Sequence, residues 1–570
     1  MEGSESSHLA LVRGSACVVC KRKKRGCDAA KPSCTPCVRS GWRTRCEYPP
    51  NPKEMREKAL QSRIEELESR LRGLGQEQAS GSSVPAVSSV LVSFPRTNFN
   101  TQAYFPPLQL PKFTPGPLDI PSSLKDTILG MIEQKDVLAN IRDPLIEIFM
   151  KQRWQYCLEW SAPRFWAAYK LPPDHPDSIH PALLDAMCLL GCFHSRSSLE
   201  KYQDFFYTRV QRSLVECLKN ADRLYDFIRA SSLAGIYCHF RRKYIAGQNH
   251  ISATIHFAMA CGLHKIENYD MTSSSISPLI RQSRDVADLG DMIHTWWGLY
   301  CLDRIAAIVV EGIVTVPKDE TVITTVWPCA FGDYINGNAI ATPYGSIRSL
   351  REYIPGQAEV ARGYNNVFAF RAKSVAMLYY AIDLVSRHED ECVEHLRAAH
   401  IAIEATSRLS DAMSAYRATK CPTFSSTRDG EDDGHDGTLI FAISMAYSAS
   451  IQLFNLFANK DEETYRQRLA VARACVSIGA EACRVNPNLL HAAIYLPWCA
   501  AYEVLAWEMI RLNALGEKET AAAVLAEIEA LMDLMKLFSQ HFDTFKHQWP
   551  VQNLRRFNIH TADLAKWNKN

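Results

Sequence analysis

Residues 17–46 read CVVCKRKKRGCDAAKPSCTPCVRSGWRTRC, and their six cysteines, Cys17, Cys20, Cys27, Cys34, Cys37 and Cys46, enclose the basic run Lys21-Arg22-Lys23-Lys24-Arg25. Two, six, six, two and eight residues separate successive cysteines, so the array divides into two similar halves, each opened by Cys-x-x-Cys. Either three disulfides or thiolates on a metal would account for this regularity. Residues 1–14 hold no apolar core of the kind a secretory signal carries, which predicts a reducing compartment and disfavours disulfides. A Cys-x-x-Cys pair presents two thiolates on one side of a turn, and Zn2+ takes four soft ligands in a tetrahedron. Two tetrahedra have eight ligand places, which six cysteines fill only if two sulfurs bridge.

The stretch resembles the fungal Zn2Cys6 binuclear cluster, in which the first and fourth cysteines bridge two zinc ions. The resemblance implies that Cys17, Cys20, Cys27 and Cys34 hold one Zn2+ and Cys17, Cys34, Cys37 and Cys46 the other. Pro32 matches the proline that turns the loop between the halves, and Asp28 follows the third cysteine as it commonly does in the family. Gly26 departs from the basic residue that often precedes that cysteine. Some thirty residues cannot bury a sufficient core, so metal must supply the folding free energy, on the order of 10 to 16 kcal/mol in small zinc domains.

From Arg13 to Arg45, ten basic side chains stand against the single acid Asp28, an excess of +9 on a chain whose total is +2. The remainder is therefore net acidic. A basic module on a near-neutral body is the footprint of a nucleic-acid binder, and the resemblance implies that the partner is double-stranded DNA. In the family a short helix after the second cysteine enters the major groove and lysines contact a CGG triplet. The matching positions are Lys23 and Lys24, with guanine O6 and N7 as acceptors. Lys21, Arg22, Arg25, Arg43 and Arg45 are expected on phosphates, where they set register and make binding salt-dependent. The same basic run fits a nuclear localisation signal, and the expected location is the nucleus.

In chain order, 1–14 reads as disordered, 15–48 as the cluster, 49–75 as a linker and dimerisation coiled coil, 76–121 as a disordered tether and 122–570 as a helical regulatory domain. Pro49, Pro50 and Pro52 stiffen the linker. Leu60, Ile64, Leu67, Leu71 and Leu74 then recur at alternating spacings of four and three, a heptad seam that predicts a parallel homodimer reading two half-sites. The tether is rich in Ser, Pro, Asn and Gln and has neither helical nor strand period.

The body shows helical spacing over 126–160, 182–193, 367–387, 392–418, 439–459, 465–483, 489–514 and 517–538, while 308–316 and 322–326 read as loop or short extended pieces. An all-α fold follows: a small binuclear zinc cluster, a short coiled coil, a disordered linker and a large all-helical regulatory domain. Residues 244–266, YIAGQNHISATIHFAMACGLHKI, followed by Trp296-Trp297-Gly-Leu-Tyr300-Cys-Leu-Asp303-Arg304 and Gly312, resemble the fungal transcription factor domain called the middle homology region.

No catalytic constellation stands out. His388-Glu389 lacks a second histidine at zincin spacing, and no Gly-rich phosphate loop precedes a helix. Cys188, Cys192 and His194 sit among apolar residues and read as packing. Residues 439–458 carry no formal charge and have the length of a membrane span, but Ser444, Ser448 and Ser450 favour a buried core helix and no membrane role. The acidic stretch 429–436 reads as a solvated loop.

The sequence thus predicts a nuclear, non-enzymatic regulator of transcription acting at RNA polymerase II promoters on CGG-type half-sites. Its partners would be DNA, a second copy, the transcription machinery or co-regulators, and an unidentified small-molecule effector. The alternative is a helical enzyme or metabolite-binding protein whose cluster only targets chromatin or binds RNA or protein.

Overall fold

The computed structural model describes residues 16–47 and 139–539, apart from 160, 196–198, 200–201, 272–275, 311–313, 319, 342–344, 348–349, 351–364, 387–392, 422–434, 459–460 and 486–489. The expected seam from Leu60 to Leu74, both expected linkers, Gly312 and most of the acidic stretch lie outside the described residues. The chain divides into two units, Met1–Phe94 and Pro95–Asn570. No described residue is in a β-strand.

In the first unit, α1 (Val18–Arg22) packs on α2 (Thr35–Arg39), and a 3-10 turn, Arg43–Arg45, follows. Both helices are only five residues long. Isolated helices of that length do not persist in water, so something other than helix propensity must hold them.

The second unit begins, as described, with α3 (Ala139–Gln152). The helix expected over 126–160 ends there, because a 3-10 turn, Arg153–Tyr156, leads into Cys157 at φ +55°, a left-handed conformation that stops helical hydrogen bonding. Helices α4 (Ala162–Tyr169), α5 (Pro181–His194), α6 (Gln203–Asn220), α7 (Leu224–Phe240) and α8 (Tyr244–Ala260) follow. Pro181 occupies the first turn of α5, and the His180 Nδ1 accepts the Ala182 N–H at 3.0 Å. Helix α5 crosses α3 backbone to backbone: a Cβ on Gly191 would lie 2.1 Å from the Leu145 carbonyl oxygen. Helix α7 was not foreseen, since thirteen of its residues are buried and it shows no polar face from which a helical period could be read. Helices α4 and α6 were missed as well, although α6 carries a legible stripe in Phe206, Val210, Leu214 and Cys217.

Helix α9 (Val286–Val310) holds the second quoted motif. Trp296, Trp297 and Tyr300 are fully buried. The Trp297 ring stacks on Trp327 with centroids 4.2 Å apart, and its Nε1–H donates to the Val326 carbonyl at 2.7 Å. Asp303 and Arg304 are also fully buried, and each is paired. Asp303 accepts the backbone N–H groups of Thr315 at 2.8 Å and Val316 at 3.1 Å. Arg304 donates to the Val316 carbonyl at 3.0 Å and to Glu320 at 2.9 Å. The two charges therefore staple the chain that returns after α9 onto the helix that carries them. The expected extended piece at 322–326 runs beside the Gly262-Leu263-His264 turn, with the Val326 N–H donating to the Ile266 carbonyl at 2.9 Å.

After the short α10 (Phe331–Ile335) come α11 (Val367–Ser386), α12 (Val393–Lys420), α13 (His435–Phe454), α14 (Glu462–Val485), α15 (Tyr495–Ala514) and α16 (Lys518–Ser539). Helix α13 is the core of this half and packs against α11, α12, α14 and α15. Among the described helices it alone is long and apolar enough to cross a membrane, yet it is buried within the protein. Its hydroxyls turn back on its own backbone, Ser444 to the Ile440 carbonyl at 2.8 Å and Ser450 to Ala446 at 3.1 Å, which lets a helix without a polar face sit in a dry core. Helix α15 starts later than the expected 489, after a 3-10 turn, Ala492–Ile494, that His491 caps through Nδ1.

Candidate metal centre and nucleic-acid interface

The halves of the cysteine array fold as one repeated unit. In each, the first cysteine precedes a five-residue helix whose third residue is the second cysteine in α1 and α2 alike. Each helix then ends in a Schellman motif. The Arg25 N–H returns to the Cys20 carbonyl at 3.1 Å and Lys24 to Lys21 at 3.2 Å, while Trp42 returns to Cys37 at 2.9 Å and Gly41 to Val38 at 3.2 Å. The left-handed residue of each motif is Lys24, φ +49°, and Gly41, φ +70°. Glycine adopts that conformation freely, whereas a side chain there costs about 1–2 kcal/mol. Lys24 therefore stands where the matching half has glycine.

The six sulfurs converge. Cys17, Cys20, Cys27 and Cys34 form one set and Cys17, Cys34, Cys37 and Cys46 a second, the ligand atoms of each lying within 4.8 Å of one another. These two sets are the only such groups of three or more metal-ligating residues among the described residues. The shared sulfurs, Cys17 and Cys34, are 3.7 Å apart, with Cys20 to Cys34 at 3.6 Å and Cys34 to Cys46 at 3.7 Å. A tetrahedron of sulfurs about 2.3 Å from zinc has edges of about 3.8 Å, so the spacing fits Zn2+ and is far too long for disulfides. The Cys20 and Cys37 sulfurs, in different sets, also approach to 3.8 Å, so the six form one continuous group.

Backbone contacts ease negative charge on two of the sulfurs, while burial opposes it on two others. Backbone N–H groups point at sulfur in matching places: Cys17 to the Cys27 Sγ at 3.4 Å and Cys34 to the Cys46 Sγ at 3.3 Å. Such outer contacts orient ligands and ease their negative charge. Burial pushes the Cys34 thiol well up and the Cys37 thiol up to about 11, so a bound cation has to take the place of those protons. Asp28 accepts the Thr35 N–H with both carboxylate oxygens at 3.1 Å, at the start of α2, and that bond holds its carboxyl below the usual range. The Lys31–Pro32 peptide between the halves is cis.

Lys21, Arg22, Lys23, Lys24, Arg43 and Arg45 are all exposed. Arg25 is half-buried and engaged within the module. Its guanidinium donates to Ser40 Oγ at 2.9 Å, to the Pro36 carbonyl at 3.3 Å and to the Cys37 Sγ at 3.7 Å. It ties the loop after α1 to α2 and to the cluster, because its fork meets three acceptors at once where a phosphate would offer one group. Trp42, which sequence reasoning passed over, packs on the cysteine cluster under two cations, with the Lys23 ammonium 3.4 Å and the Arg25 guanidinium 4.8 Å from its ring centroid. An aromatic residue inside a cysteine array this small was the available signal.

Two family models match the chain. Residues 15–55 match the Fungal Zn(2)-Cys(6) binuclear cluster domain, and residues 146–354 match the Fungal specific transcription factor domain. No curated protein and no solved structure matches significantly. Both matches fall where the resemblances were read. The chain thus carries a zinc-cluster segment and a segment similar to a fungal transcription factor domain, which together support a DNA-binding regulator of transcription whose cluster takes two zinc ions, and the matched families are transcription factor domains rather than enzymes.

Proposed function

We propose that this protein is a nuclear regulator at RNA polymerase II promoters that reads CGG-type half-sites with Lys23 and Lys24 and binds as a homodimer. The carrying observation is the cluster that sets an exposed basic run at the end of α1, with six converging sulfurs behind it. The six cysteines hold the two ions, with Cys17 and Cys34 bridging. Lys24 is the stronger candidate for a base contact, because a lysine kept at a glycine-favouring conformation projects from the turn at a local energetic cost. Lys21, Arg22, Arg43 and Arg45 contact phosphates and fix the module on the duplex. The seam Leu60, Ile64, Leu67, Leu71 and Leu74 pairs two copies, and the helical body, 122–570, governs when the arm acts.

The test compares duplexes carrying CGG with altered triplets and with single-stranded RNA. Lys24→Gly suits the left-handed backbone and removes only the side chain, so the module keeps its zinc while discrimination between CGG and altered triplets drops by about 1–3 kcal/mol. Lys21→Ala weakens all sequences alike and lowers the salt dependence by about one phosphate contact. Equal binding of wild type to CGG duplex and RNA, or a uniform loss on all duplexes for Lys24→Gly, would overturn the base-reading claim.

A further inference from the structure

The helical body contains a partly open cavity of about 100 Å3. One wall is the stripe Leu302, Ile305, Ala306 and Val309, at the i, i+3, i+4, i+7 positions of α9. Ile236 of α7 and Ile251 of α8 also line it. Residues 492 and 493 of the 3-10 turn before α15, and 495 and 496 in its first turn, complete the lining from the far end of the chain. No aspartate, glutamate, lysine or arginine is among the lining residues. An ion entering such a space would lose its hydration without gaining an opposite charge, which costs several kcal/mol, so the cavity selects neutral molecules.

Its polar groups differ in what they have left to offer. The Tyr156 hydroxyl pairs with the His194 Nε2. His491 uses Nδ1 on the Ala493 N–H at 3.0 Å and Nε2 on the Cys157 Sγ at 3.2 Å. His239 lines the same cavity, and its Nε2 is buried with no hydrogen-bond partner in the protein. Room for this imidazole comes from Gly247, where a Cβ would stand 2.6 Å from the His239 Cδ2. Burial lowers His239 to about 4, so its ring is neutral at pH 7 and offers a hydrogen bond rather than a charge.

Size narrows the class further. A closed cavity of about 150 Å3 lined by Leu, Ile and Phe accepts benzene, so a partly open one of similar order accommodates a single ring. We propose that this cavity is a binding site for a neutral, one-ring-sized apolar molecule bearing a hydroxyl, the ring lying against the α9 stripe and the hydroxyl bonded to His239 Nε2. Helices α7, α8 and α9 lie in the segment matched to the transcription factor domain, whereas 491–496 lies beyond it. A bound molecule therefore touches both and favours the arrangement in which they are joined.

Phenol serves as the probe, with benzene and benzoate as comparisons, titrated into the zinc-loaded full chain and followed by ligand-observed NMR and thermal unfolding. Phenol should bind saturably and raise the melting temperature, and benzoate should do neither. Ala306→Phe fills the space and abolishes binding of both phenol and benzene. His239→Phe keeps benzene binding and weakens phenol about tenfold, the loss of one hydrogen bond. If Ala306→Phe does not fold, judged by circular dichroism, the phenol-to-benzene ratio of His239→Phe decides. The proposal is overturned if wild type shows no saturable phenol binding, if benzoate binds as well as phenol, or if His239→Phe leaves the ratio unchanged. None of these readouts involves DNA, so they stand or fall apart from the base-reading proposal.

Discussion

The Lys23 ammonium lies 3.4 Å from the centroid of the Trp42 indole, across the divide between the two halves of the cysteine array. Lys23 follows α1, whereas Trp42 follows α2, so the contact fixes a cation of one half upon a ring of the other. An exposed cation–π contact is worth about 0.5–1 kcal/mol, a factor of two to five in affinity if it presets the lysine. Trp42→Ala should therefore weaken CGG-duplex binding about two- to fivefold while Trp42→Phe loses less. Fluorescence anisotropy titrations on protein of equal zinc content measure this, and unchanged affinity for Trp42→Ala would show that the pair does not serve DNA binding.

The bridging positions can be separated from the rest by stoichiometry. Cys17 and Cys34 belong to both sulfur sets, and each of the other four cysteines to one. Cys17→Ala or Cys34→Ala should abolish the two-zinc, folded module, because metal binding and folding are one process in a domain this small. Metal analysis of the purified variants provides the check, and two zinc ions per chain in either would contradict bridging.

Arg304 joins Asp303 and Glu320 in the interior of the body, at 3.1 Å and 2.9 Å. Arg304→Ala leaves two buried carboxylates without their cation and should cost about 3–5 kcal/mol, whereas the pair's net worth against apolar replacements is far smaller. Thermal unfolding should show a drop of many degrees for Arg304→Ala. A melting temperature within a degree of wild type would mean that water or another cation compensates.

Two histidines give the body an acid-side weakness. Burial lowers His239 and His294 to about 4 from an ordinary value of 6.5. Each binds its proton more readily when unfolded, so stability is fully present above about 6.5 and is lost as pH falls toward 4, by on the order of 3 kcal/mol per group. His239→Phe removes one titrating group and should flatten the fall between pH 6.5 and 4. Melting temperatures across that range report it, and an unchanged slope would exclude His239 as a source.

Much of this was legible because its signals are local. Cysteine spacing is a property of consecutive residues, and it announced both the metal and the division into halves. The charge-free run that becomes α13 was readable as a core helix from its serines. Helix α7 was not, because burial on every side erases the contrast between faces on which periodicity depends. The contacts of Arg25 within the module were not legible for another reason. Nothing in a basic run distinguishes the residue whose acceptors, Pro36, Cys37 and Ser40, arrive eleven to fifteen positions later.

By itself the sequence determined the ligand types, the basic run and the helical class, since these follow from residue chemistry and short-range spacing. The tertiary structure alone decided which lysine takes a left-handed backbone, which ring lies beneath Lys23, which buried carboxylates Arg304 neutralises and where α9 faces 491–496 across a cavity. Those relations join residues far apart in the chain, and their energies depend on distance and burial that no local pattern encodes.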